Sequence, residues 1–378
     1  MNFEEHAAKP LLAKAGIAVP EGRLVTTAAE AAEACAAIGP VVVKAQVPAG
    51  KRGKAGGIRL VKDADEAREA AKAILGMKIG AYTVERLLVE AQAAIASELY
   101  AAVLNDPESK GPLVMFSAVG GMDIEEIAAE RPEALRKLAI DVRKGFSEAD
   151  ARGMLNGLDL AKSADAVAAV LVALYQAYSE NDAELVEINP LAILVDGRVF
   201  ALDCKFVLDD SSIRRQAEIS AKGTPDRLTE LETRGQSLGL KYIDLDGEIG
   251  VLANGAGLTM TTMDVITYHG GRPANFLEIG GEAYTKAVPA LELVLANPNV
   301  RSLVANFCGA FARTDVMTEG VINALETLKP SIPVFFSVHG TGAKAAREML
   351  KSRLGIEPYP DMDAAIVAAI DAAGGTAT

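Results

Sequence analysis

Two short stretches carry carboxylate and amide side chains at a spacing that could bind a metal ion. They are Glu187-Ile-Asn189 and Ala-Leu-Asp203-Cys, which we predict to be neighbouring strands. Residues two apart on a strand share a face, so Glu187 and Asn189 should point the same way. A three-residue loop at 195–197 would place Asn189 directly opposite Asp203. An amide oxygen and a carboxylate there suit Mg²⁺, which takes hard oxygen ligands and keeps its bonds to substrate phosphates. A polar hairpin face exposed to water would show the same spacing.

A glycine-rich, basic loop follows residues 41–43, an apolar stretch that we predict to be a buried strand. The loop, residues 48–57, reads PAGKRGKAGG, and Lys44 lies shortly before it. Glycines let backbone N–H groups approach phosphates closely, and cations such as Lys51 and Arg52 would balance the charge of a triphosphate. The spacing is not GxxxxGK[ST], so this is not a Walker loop. A basic surface turn would have the same composition.

Weaker signals occur at predicted strand ends in the second half. The glycines at 255–257 and the pair Gly280-Gly281 each precede a predicted helix, whose N-terminus could meet an anion, but tight turns use glycine in the same way. We interpret Cys308 as a buried small apolar residue rather than a nucleophile. His339 is interpreted as a structural or incidental histidine. The sequence contains no GxSxG or HExxH motif and no Cys/His dyad spacing.

Hydrophobic periodicity divides the chain into two α/β halves. In the first half, helices should begin at Asn2, Thr27 and Asp63, and residues 123–181 have a mostly helical period. Strands are predicted at 41–43, 58–61, 86–92, 97–104, 112–118, 185–188, 192–195 and 199–202. Residues 209–241 are charged and poor in apolar side chains, which predicts a connecting segment and domains at 1–238 and 239–378. From 248 onward strands and helices alternate, as is typical of a parallel sheet covered on both faces.

The composition excludes several classes of function. The 378 residues carry 51 acidic and 38 basic side chains, a formal charge of -13, so no nucleic-acid partner is expected. The longest apolar run, residues 166–175, is too short to span a bilayer, and the acidic N-terminus lacks the hydrophobic region of a signal peptide. Three cysteines without a CxxC pair argue against a disulfide scaffold. We therefore expect a soluble, cytoplasmic protein with no membrane partner.

Several blocks of the chain, in this order, resemble the β subunit of succinyl-CoA synthetase (succinate–CoA ligase) and its relatives such as malate–CoA ligase. They are MNFEEHAAKPLLAKAGIAVPEG, VVVKAQVPAGKRGKAGGIRLV, LLVEAQAAIASELY, GGMDIEEIA, LVEINPLAIL, FALDCK, NGAGLTMTTMDVITYHGGRPANFLEIGG and NFCGAFARTDV. The resemblance runs from Met1 to about Ala373. It implies an α/β protein with an N-terminal ATP-grasp domain to residue 238, followed by a flavodoxin-like parallel-sheet CoA-ligase domain.

The chemistry of that family needs a second chain. ATP phosphorylates a histidine of a partner α subunit, the phosphate passes to a carboxylic acid, and CoA displaces it to leave a thioester. The resemblance therefore implies ATP and Mg²⁺ as cofactors, and CoA as a co-substrate bound mainly by the α subunit. It also implies a small-molecule carboxylic acid as substrate and an αβ or (αβ)₂ assembly.

The family's functional positions can be carried over one by one. Those of nucleotide binding are Lys44, Lys51, Arg52, Gly53, Glu90, the Ala93 backbone and Glu98. Asn189 and Asp203 fall on the magnesium positions, in agreement with the hairpin argument. Glu187 falls on the acidic residue that interacts with the partner's histidine. The positions assigned to the acid substrate are Asn254 and the segment Ala310-Phe311-Ala312.

Some positions depart from the family pattern, mainly around the acid site. Glu282 stands where a third glycine is expected. Ala310 replaces a glycine, Phe311 is bulky, and Ser337 stands where the family has an arginine, two residues before His339. Losing a guanidinium removes a bidentate clamp for a carboxylate. We therefore expect intact nucleotide chemistry and an altered acid specificity.

The sequence thus predicts the β subunit of an ATP-dependent, ADP-forming carboxylic acid–CoA ligase. Succinate is the default acid, and malate, another dicarboxylate or a different carboxylic acid is the alternative. A non-catalytic, nucleotide-binding regulatory subunit is a further alternative, disfavoured because Glu187, Asn189 and Asp203 are all retained. A carboxylate–amine ligase of the ATP-grasp type is disfavoured by the NGAGLTMTTMD and GGRPANFLEIGG blocks.

Overall fold

The computed structural model of the protein describes residues 1–225, 227–280 and 283–374. The chain forms two compact units, divided between residues 226 and 227. This division lies N-terminal to the boundary expected at 238/239, because the helix Glu230–Ser237 packs within the second unit. Leu231 contacts the apolar core of that unit, and Arg234 forms an ion pair with Glu292.

The first unit is rich in antiparallel strands. Its strands are β1 (Gly22–Val25), β2 (Val41–Ala45), β3 (Ile58–Val61), β4 (Lys78–Ile79), β5 (Tyr82–Thr83), β6 (Leu87–Ala91), β7 (Ile95–Asp106), β8 (Gly111–Ser117), β9 (Leu135–Ala139), β10 (Ala183–Leu194), β11 (Val199–Ala201) and β12 (Lys205–Leu208). Its helices are α1 (Glu5–Lys14), α2 (Ala28–Ile38), α3 (Ala64–Ile74), α4 (Ile124–Glu130), α5 (Glu148–Leu155), α6 (Ala164–Glu180) and α7 (Ala217–Ser220).

Two sheets of this unit position the candidate site. The smaller sheet has the order β1-β6-β2-β3, and the larger has the order β11-β10-β7-β8-β9, with β12 also paired to β10. In β2 the side chains alternate, as a strand requires. Val41 and Val43 are buried in the core that α2 and α3 form with the small sheet. Lys44 therefore projects from the opposite face of the sheet.

Helix starts follow local hydrogen bonding. Thr27 begins α2 as predicted, with a capping box in which its side chain accepts from Glu30 N and Glu30 accepts from the Thr27 backbone. Helix α1 was expected from Asn2 but begins at Glu5. The reason is that Asn2 is extended and forms isolated bridges to Val207 and Thr224.

The expected secondary structure is wrong in two places of the larger sheet. Residues 135–139 were expected to be helical, but they form β9, because they pair antiparallel with β8 from Leu113 to Ser117. The stretches 185–188 and 192–195 were expected as separate strands, but they belong to the single strand β10. The register of β10 against β7 shifts between Ile188 and Leu191, which accommodates Pro190 without ending the strand.

The second unit has the alternating pattern that the sequence predicted. Its strands are β13 (Tyr242–Asp244), β14 (Ile249–Ala253), β15 (Asn275–Leu277), β16 (Ser302–Gly309) and β17 (Val334–Gly340). Its helices are α8 (Glu230–Ser237), α9 (Ala256–Tyr268), α10 (Ala283–Ala296), α11 (Thr314–Leu328), α12 (Ala343–Met349) and α13 (Met362–Ala372). Strands β14, β16 and β17 are parallel neighbours, so the expected parallel sheet is confirmed. Apolar cores cover both of its faces, one of them with α10 and α11, the other with α9 and α13.

Within the part of the chain that the structure describes, no helix combines the length and the apolar character needed to cross a bilayer.

Candidate functional site

A cavity of about 550 Å³ in the first unit is lined from both sheets. Its lining includes Val42, Lys44, residues 47–54 of the glycine loop, Ile58, Leu60, residues 90–93, residues 121–125, Glu187, Asn189 and residues 202–205. Every site residue predicted for this unit belongs to this lining, with the exception of Glu98. The fold therefore brings together predicted site residues that lie as far apart in the sequence as Lys44 and Asp203, which are separated by 159 positions.

Lys44 is buried and its ammonium group is surrounded by acceptors. Its Nζ lies 2.9 Å from Glu5 Oε1 and 2.6 Å from Glu90 Oε2, and it donates to the carbonyl of Leu202 at 2.5 Å. Burial opposes the charged form, but the two carboxylates prevail and raise the pKa of Lys44 above its usual value. The lysine is therefore held as a cation at a fixed position.

Arg52 of the glycine loop is likewise buried and directed inward. Its Nη1 donates to the carbonyl of Ala45 at 2.9 Å, and its Nη2 donates to Asp203 Oδ1 at 2.5 Å. The same Nη2 lies 2.8 Å from Glu5 Oε2. Burial opposes the charge, and Asp203 and Glu5 together raise the pKa of Arg52. A second fixed cation thus lies close to the first.

The outer part of the loop pairs with the segment at 121–126. Lys54 Nζ lies 2.6 Å from Asp123 Oδ2, and Lys51 Nζ lies 3.6 Å from the same atom. Lys54 is also 3.6 Å from Glu126. These lysines are exposed, so water and salt screen the ion pairs and each pair adds little to stability. Lys51 has a φ of 61°, in the left-handed region where glycine is favoured.

The hairpin has the expected loop. Leu194 N donates to Arg198 O at 2.8 Å, which closes the three-residue loop at 195–197. Pairs on both sides, Leu191 with Ala201 and Glu187 with Lys205, keep one register across the strands. That register places Asn189 opposite Asp203.

Asn189 and Asp203 offer oxygen donors of the type that Mg²⁺ prefers. Asn189 Oδ1 accepts from Gly121 N at 2.9 Å, and its Nδ2 donates to Met122 O at 2.8 Å. Asp203 Oδ1 accepts from Arg52 and from Cys204 N, and no hydrogen bond among the described residues uses Oδ2. The described residues contain no cluster of three His, Cys, Asp or Glu side chains that could hold a metal. One amide and one carboxylate still fit Mg²⁺, which is usually held by one or two protein carboxylates together with water and phosphates.

Glu187 lies half-buried in the cavity lining. Its Oε2 accepts a hydrogen bond from the hydroxyl of Tyr100 at 3.1 Å. Burial raises the pKa of Glu187, while the hydrogen bond from Tyr100 and the charge of Lys205 oppose this effect. Tyr100 itself is buried and does not line the cavity. One carboxylate oxygen of Glu187 is therefore held by a residue outside the cavity lining.

Glu98, the predicted residue outside the lining, lies against the segment at 121–126. A Cβ atom added to Gly121 would come 2.0 Å from Glu98 Oε2, and Gly121 has a φ of 73°. A side chain at this position would therefore clash with the carboxylate and strain the backbone. Glycine at 121 allows the segment to approach both Glu98 and Asn189.

Sequence reasoning missed three residues that contact the site. Glu5 and Lys9, from α1, contribute charges to the buried cluster around Lys44, and Tyr100 contacts Glu187. A usable signal existed for the first two, since Glu5 and Lys9 are four apart and share the helix face that carries Ala8 and Leu12 into the core. Charges on a buried helix face need partners.

The second unit gathers the predicted acid-site residues at the carboxyl ends of its parallel strands. Asn254 follows β14, and its side chain pairs with the backbone of Cys308. Asn254 Oδ1 accepts from Cys308 N at 2.8 Å, and Nδ2 donates to Cys308 O at 2.9 Å. The loop after β16 continues through Ala310, whose carbonyl accepts from Thr341 Oγ1 at 3.1 Å. Phe311, in this loop, is fully exposed.

The interpretation of Cys308 as a buried residue is wrong, because its side chain is exposed. Residues 302–307 and Gly309 of β16 are buried, and Cys308 is the one exposed residue of the strand. His339 pairs with Cys308 across β16 and β17, and its Nε2 lies 3.1 Å from Ser337 Oγ. Gly281 and Glu282 lie outside the described residues. The helix predicted after them is present as α10, which begins at Ala283.

Comparison with known proteins assigns a family to each of the two units. Residues 2–193 match the family model of the ATP-grasp domain, and residues 252–358 match that of CoA-ligase. The fold is similar to that of ATP citrate lyase from Methanothrix soehngenii, solved in complex with citrate and coenzyme A, with a TM-score of 0.71 and 22% identity over 98% of this chain and 99% of that chain. The class is thus an ATP-grasp domain joined to a CoA-ligase domain.

Proteins with similar sequences define the family within this class. The chain is 42% identical over 379 residues to the β subunit of GDP-forming succinate–CoA ligase from Thermus thermophilus, with 100% of both chains covered. It is 43% identical over 354 residues to the β subunit of the ADP-forming enzyme from Chloroflexus aurantiacus, with 93% of each covered. The chain belongs to the succinate–CoA ligase β-subunit family. It is accordingly a ligase, and its ATP-grasp domain implies the use of ATP.

Proposed function

We propose that this chain is the β subunit of an ATP-dependent, ADP-forming carboxylic acid–CoA ligase, and that it acts with an α subunit carrying a phosphorylatable histidine. The observation that carries the proposal is the cavity of the first unit. There Lys44 and Arg52 share one lining with Glu187, Asn189 and Asp203. Fixed cations suit nucleotide phosphates, and the hard oxygens suit a divalent cation.

The roles follow from the chemistry of phosphoryl transfer, which needs in-line positioning and charge compensation. Lys44 and Arg52 would bind the phosphates, and Asn189 and Asp203 would hold Mg²⁺, which neutralises phosphate charge when bound. Glu187 would meet the partner's histidine, fix its tautomer and stabilise its charged form. The remaining nucleotide contacts would come from the loop at 51–53, Glu90, the Ala93 backbone and Glu98.

A histidine can carry the phosphoryl group from ATP to the acid, and the whole reaction then takes three steps. The γ-phosphoryl group moves from ATP to a ring nitrogen, which releases ADP. A substrate carboxylate oxygen then takes the phosphoryl group, giving an acyl phosphate and free histidine. The CoA thiol loses its proton, attacks the acyl carbon and displaces inorganic phosphate to form the thioester.

The need for a partner has direct structural support. No residue that lines the cavity in the described part of the chain is a histidine. His6 lies 3.3 Å from Glu4, His269 pairs with Asp363, and His339 belongs to the second unit. These placements support a carrier histidine that is supplied by the partner chain. We also propose an αβ or (αβ)₂ assembly in the cytoplasm, where the free cysteines would stay reduced.

The acid would bind near Asn254 and the segment 310–312 of the second unit. Succinate is the default substrate because the relatives above are named for it. Malate, another dicarboxylate or a different acid is the alternative, supported by the exposed ring of Phe311 and by Ser337 in place of an arginine. An aromatic surface favours an acid with an apolar part.

The test is the CoA-dependent release of nucleoside diphosphate by the chain co-expressed with its α partner, across a panel of carboxylic acids and with ATP or GTP. We expect ADP release with one acid, and Glu187→Ala should abolish phosphorylation of the partner's histidine. Glu184→Ala is the matched control, because Glu184 lies on the same strand but is exposed and outside the cavity. Nucleotide binding without turnover on any acid would instead support the regulatory subunit.

A further inference from the structure

We propose that Glu5, on the N-terminal helix α1, is a positioning residue that fixes Lys44 and Arg52 relative to each other for phosphoryl transfer. The proposal rests on the proposed function of the cavity. Glu5 is 2% exposed and is the one carboxylate among the described residues that pairs with both cations. No sequence pattern assigned it a role.

The two carboxylate oxygens of Glu5 are divided between the cations. Oε1 lies 2.9 Å from Lys44 Nζ, and Oε2 lies 2.8 Å from Arg52 Nη2. The carboxylate therefore bridges a strand of the small sheet and the glycine loop. Since Glu5 belongs to a helix, its reach is set by a rigid element rather than by the loop itself.

Lys9, one turn further along α1, completes the arrangement. Its Nζ lies 2.7 Å from Glu5 Oε1 and 2.5 Å from Glu90 Oε1. Two carboxylates and three cations are thus packed together with little access to water. Buried charges of this kind are stable only while each keeps its partners. Lys9 gives Glu5 and Glu90 a cationic partner besides Lys44, so neither carboxylate draws Lys44 out of position.

The bridge affects the rate more than the affinity for nucleotide. Lys44 keeps Glu90 and the Leu202 carbonyl as acceptors, so it remains in the cavity when Glu5 loses its charge. Arg52 similarly keeps Ala45 and Asp203. Removing one negative charge makes the cavity more attractive to phosphates. The geometry that aligns the transferred group is lost, however, and small misplacements lower rates strongly.

The experiment compares Glu5→Gln with Glu4→Gln in the chain co-expressed with its α partner. Glu4 is the matched control because it is adjacent, 6% exposed and ion-paired with Arg86 at 2.9 Å, but it contacts neither Lys44 nor Arg52. The readouts are the dissociation constant of ATP and the rate of histidine phosphorylation at saturating ATP. Thermal unfolding reports the folded fraction of each variant.

We expect Glu5→Gln to lower the phosphorylation rate by about tenfold or more while the ATP dissociation constant changes by less than about threefold in either direction. Glu4→Gln should leave both within about twofold of the unaltered chain. Equal rates for the two variants would overturn the inference, as would a loss of affinity without a loss of rate. Failure of the unaltered chain to bind ATP would instead count against the proposed function.

Glu5→Asp keeps the test decisive if the glutamine variant does not fold. Aspartate retains the charge but is one methylene shorter, so it cannot keep both ion pairs at their present distances. We expect a folded chain with a reduced phosphorylation rate and unchanged ATP affinity. A folded Glu5→Asp chain with the unaltered rate would overturn the positioning role.

Discussion

Arg52 Nη2 lies 2.5 Å from Asp203 Oδ1, so a cation proposed to bind phosphate directly contacts a carboxylate proposed to bind magnesium. The contact joins the glycine loop to the hairpin of the large sheet. Each residue therefore influences the ligand of the other, and a change at Asp203 should alter both the metal dependence and the charge of the cavity.

Replacing Asp203 by asparagine should raise the Mg²⁺ concentration needed for half-maximal ATP binding by about tenfold or more. An amide is a weaker ligand for a hard cation than a carboxylate. Isothermal titration of the chain with ATP at a series of Mg²⁺ concentrations measures the effect. Asp196→Asn, in the exposed loop of the same hairpin, is the control and should change nothing. An equal response of the two variants would exclude Asp203 as a ligand.

The first unit should lose stability in acid partly through Glu5. Burial alone would raise the pKa of this carboxyl, but Lys44, Lys9 and Arg52 lower it well below its usual value. A lowered pKa in the folded state means that the ionised form stabilises the fold above the unfolded-state pKa and that this stabilisation is lost as the pH falls through the folded-state pKa.

Urea unfolding between pH 7 and about pH 3 checks this prediction. Glu5→Gln, being uncharged at every pH, should be less stable at neutral pH and should lose less stability on acidification. A variant whose stability fell as steeply as that of the unaltered chain would show that other carboxylates account for the acid sensitivity.

Leu12 anchors the helix that carries Glu5. It is fully buried in the main core of the first unit, so Leu12→Ala should lower the free energy of unfolding by about 2–5 kcal/mol. Leu11→Ala, at a half-buried position beside the same core, should cost less. Chemical denaturation of both variants gives the comparison. An equal loss would mean that α1 is not held by Leu12.

Cys308 should be the thiol of the native chain that reacts rapidly with a thiol reagent. Its side chain is exposed, whereas Cys35 and Cys204 are buried, and burial raises the pKa of both buried thiols. Titration of the isolated chain should therefore give about one rapid equivalent before denaturation, and the remaining thiols should react after it. Rapid reaction of Cys204 in the native chain would contradict the packing around it. Cys308→Ser removes the fast phase if the assignment is right.

His339 tests the altered acid site. We propose that His339 supplies a hydrogen-bond donor to the acid in place of the arginine that Ser337 replaces. His339→Ala should then raise the KM for the acid by about 2–10-fold, the value of a lost hydrogen bond, and leave nucleotide affinity unchanged. The ring lies next to Ser337 on β17, in the second unit, and does not belong to the lining of the first unit's cavity. The control is His269→Ala, because the His269 side chain pairs with Asp363. Unaltered acid kinetics would make His339 an incidental residue.

Much of the lining of the first unit's cavity could be predicted from sequence because its residues occur in short, chemically distinctive blocks. The placement of Asn189 opposite Asp203 needed only the period of a strand and a three-residue loop. The same reasoning could not find Tyr100, since an apolar strand segment gives no sign that its hydroxyl meets Glu187 across the sheet.

The errors have a common physical origin in tertiary contacts. Leu135–Ala139 has side chains that suit a helix, and only its pairing with β8 makes it a strand. Cys308 has the chemistry of a core residue, but it is exposed between the buried residues Phe307 and Gly309 of β16. Neither fact is encoded within a few residues of the position concerned.

If Arg52 and Asp203 have the roles proposed above, their contact couples the binding of the two ligands. A phosphate that draws the guanidinium away would leave Oδ1 available to a divalent cation, and a cation on Asp203 would release Arg52 for phosphate. Each ligand should then tighten the binding of the other by the same factor, as thermodynamic reciprocity requires. The ion pair would thereby favour binding of the nucleotide and the metal together over binding of either one alone.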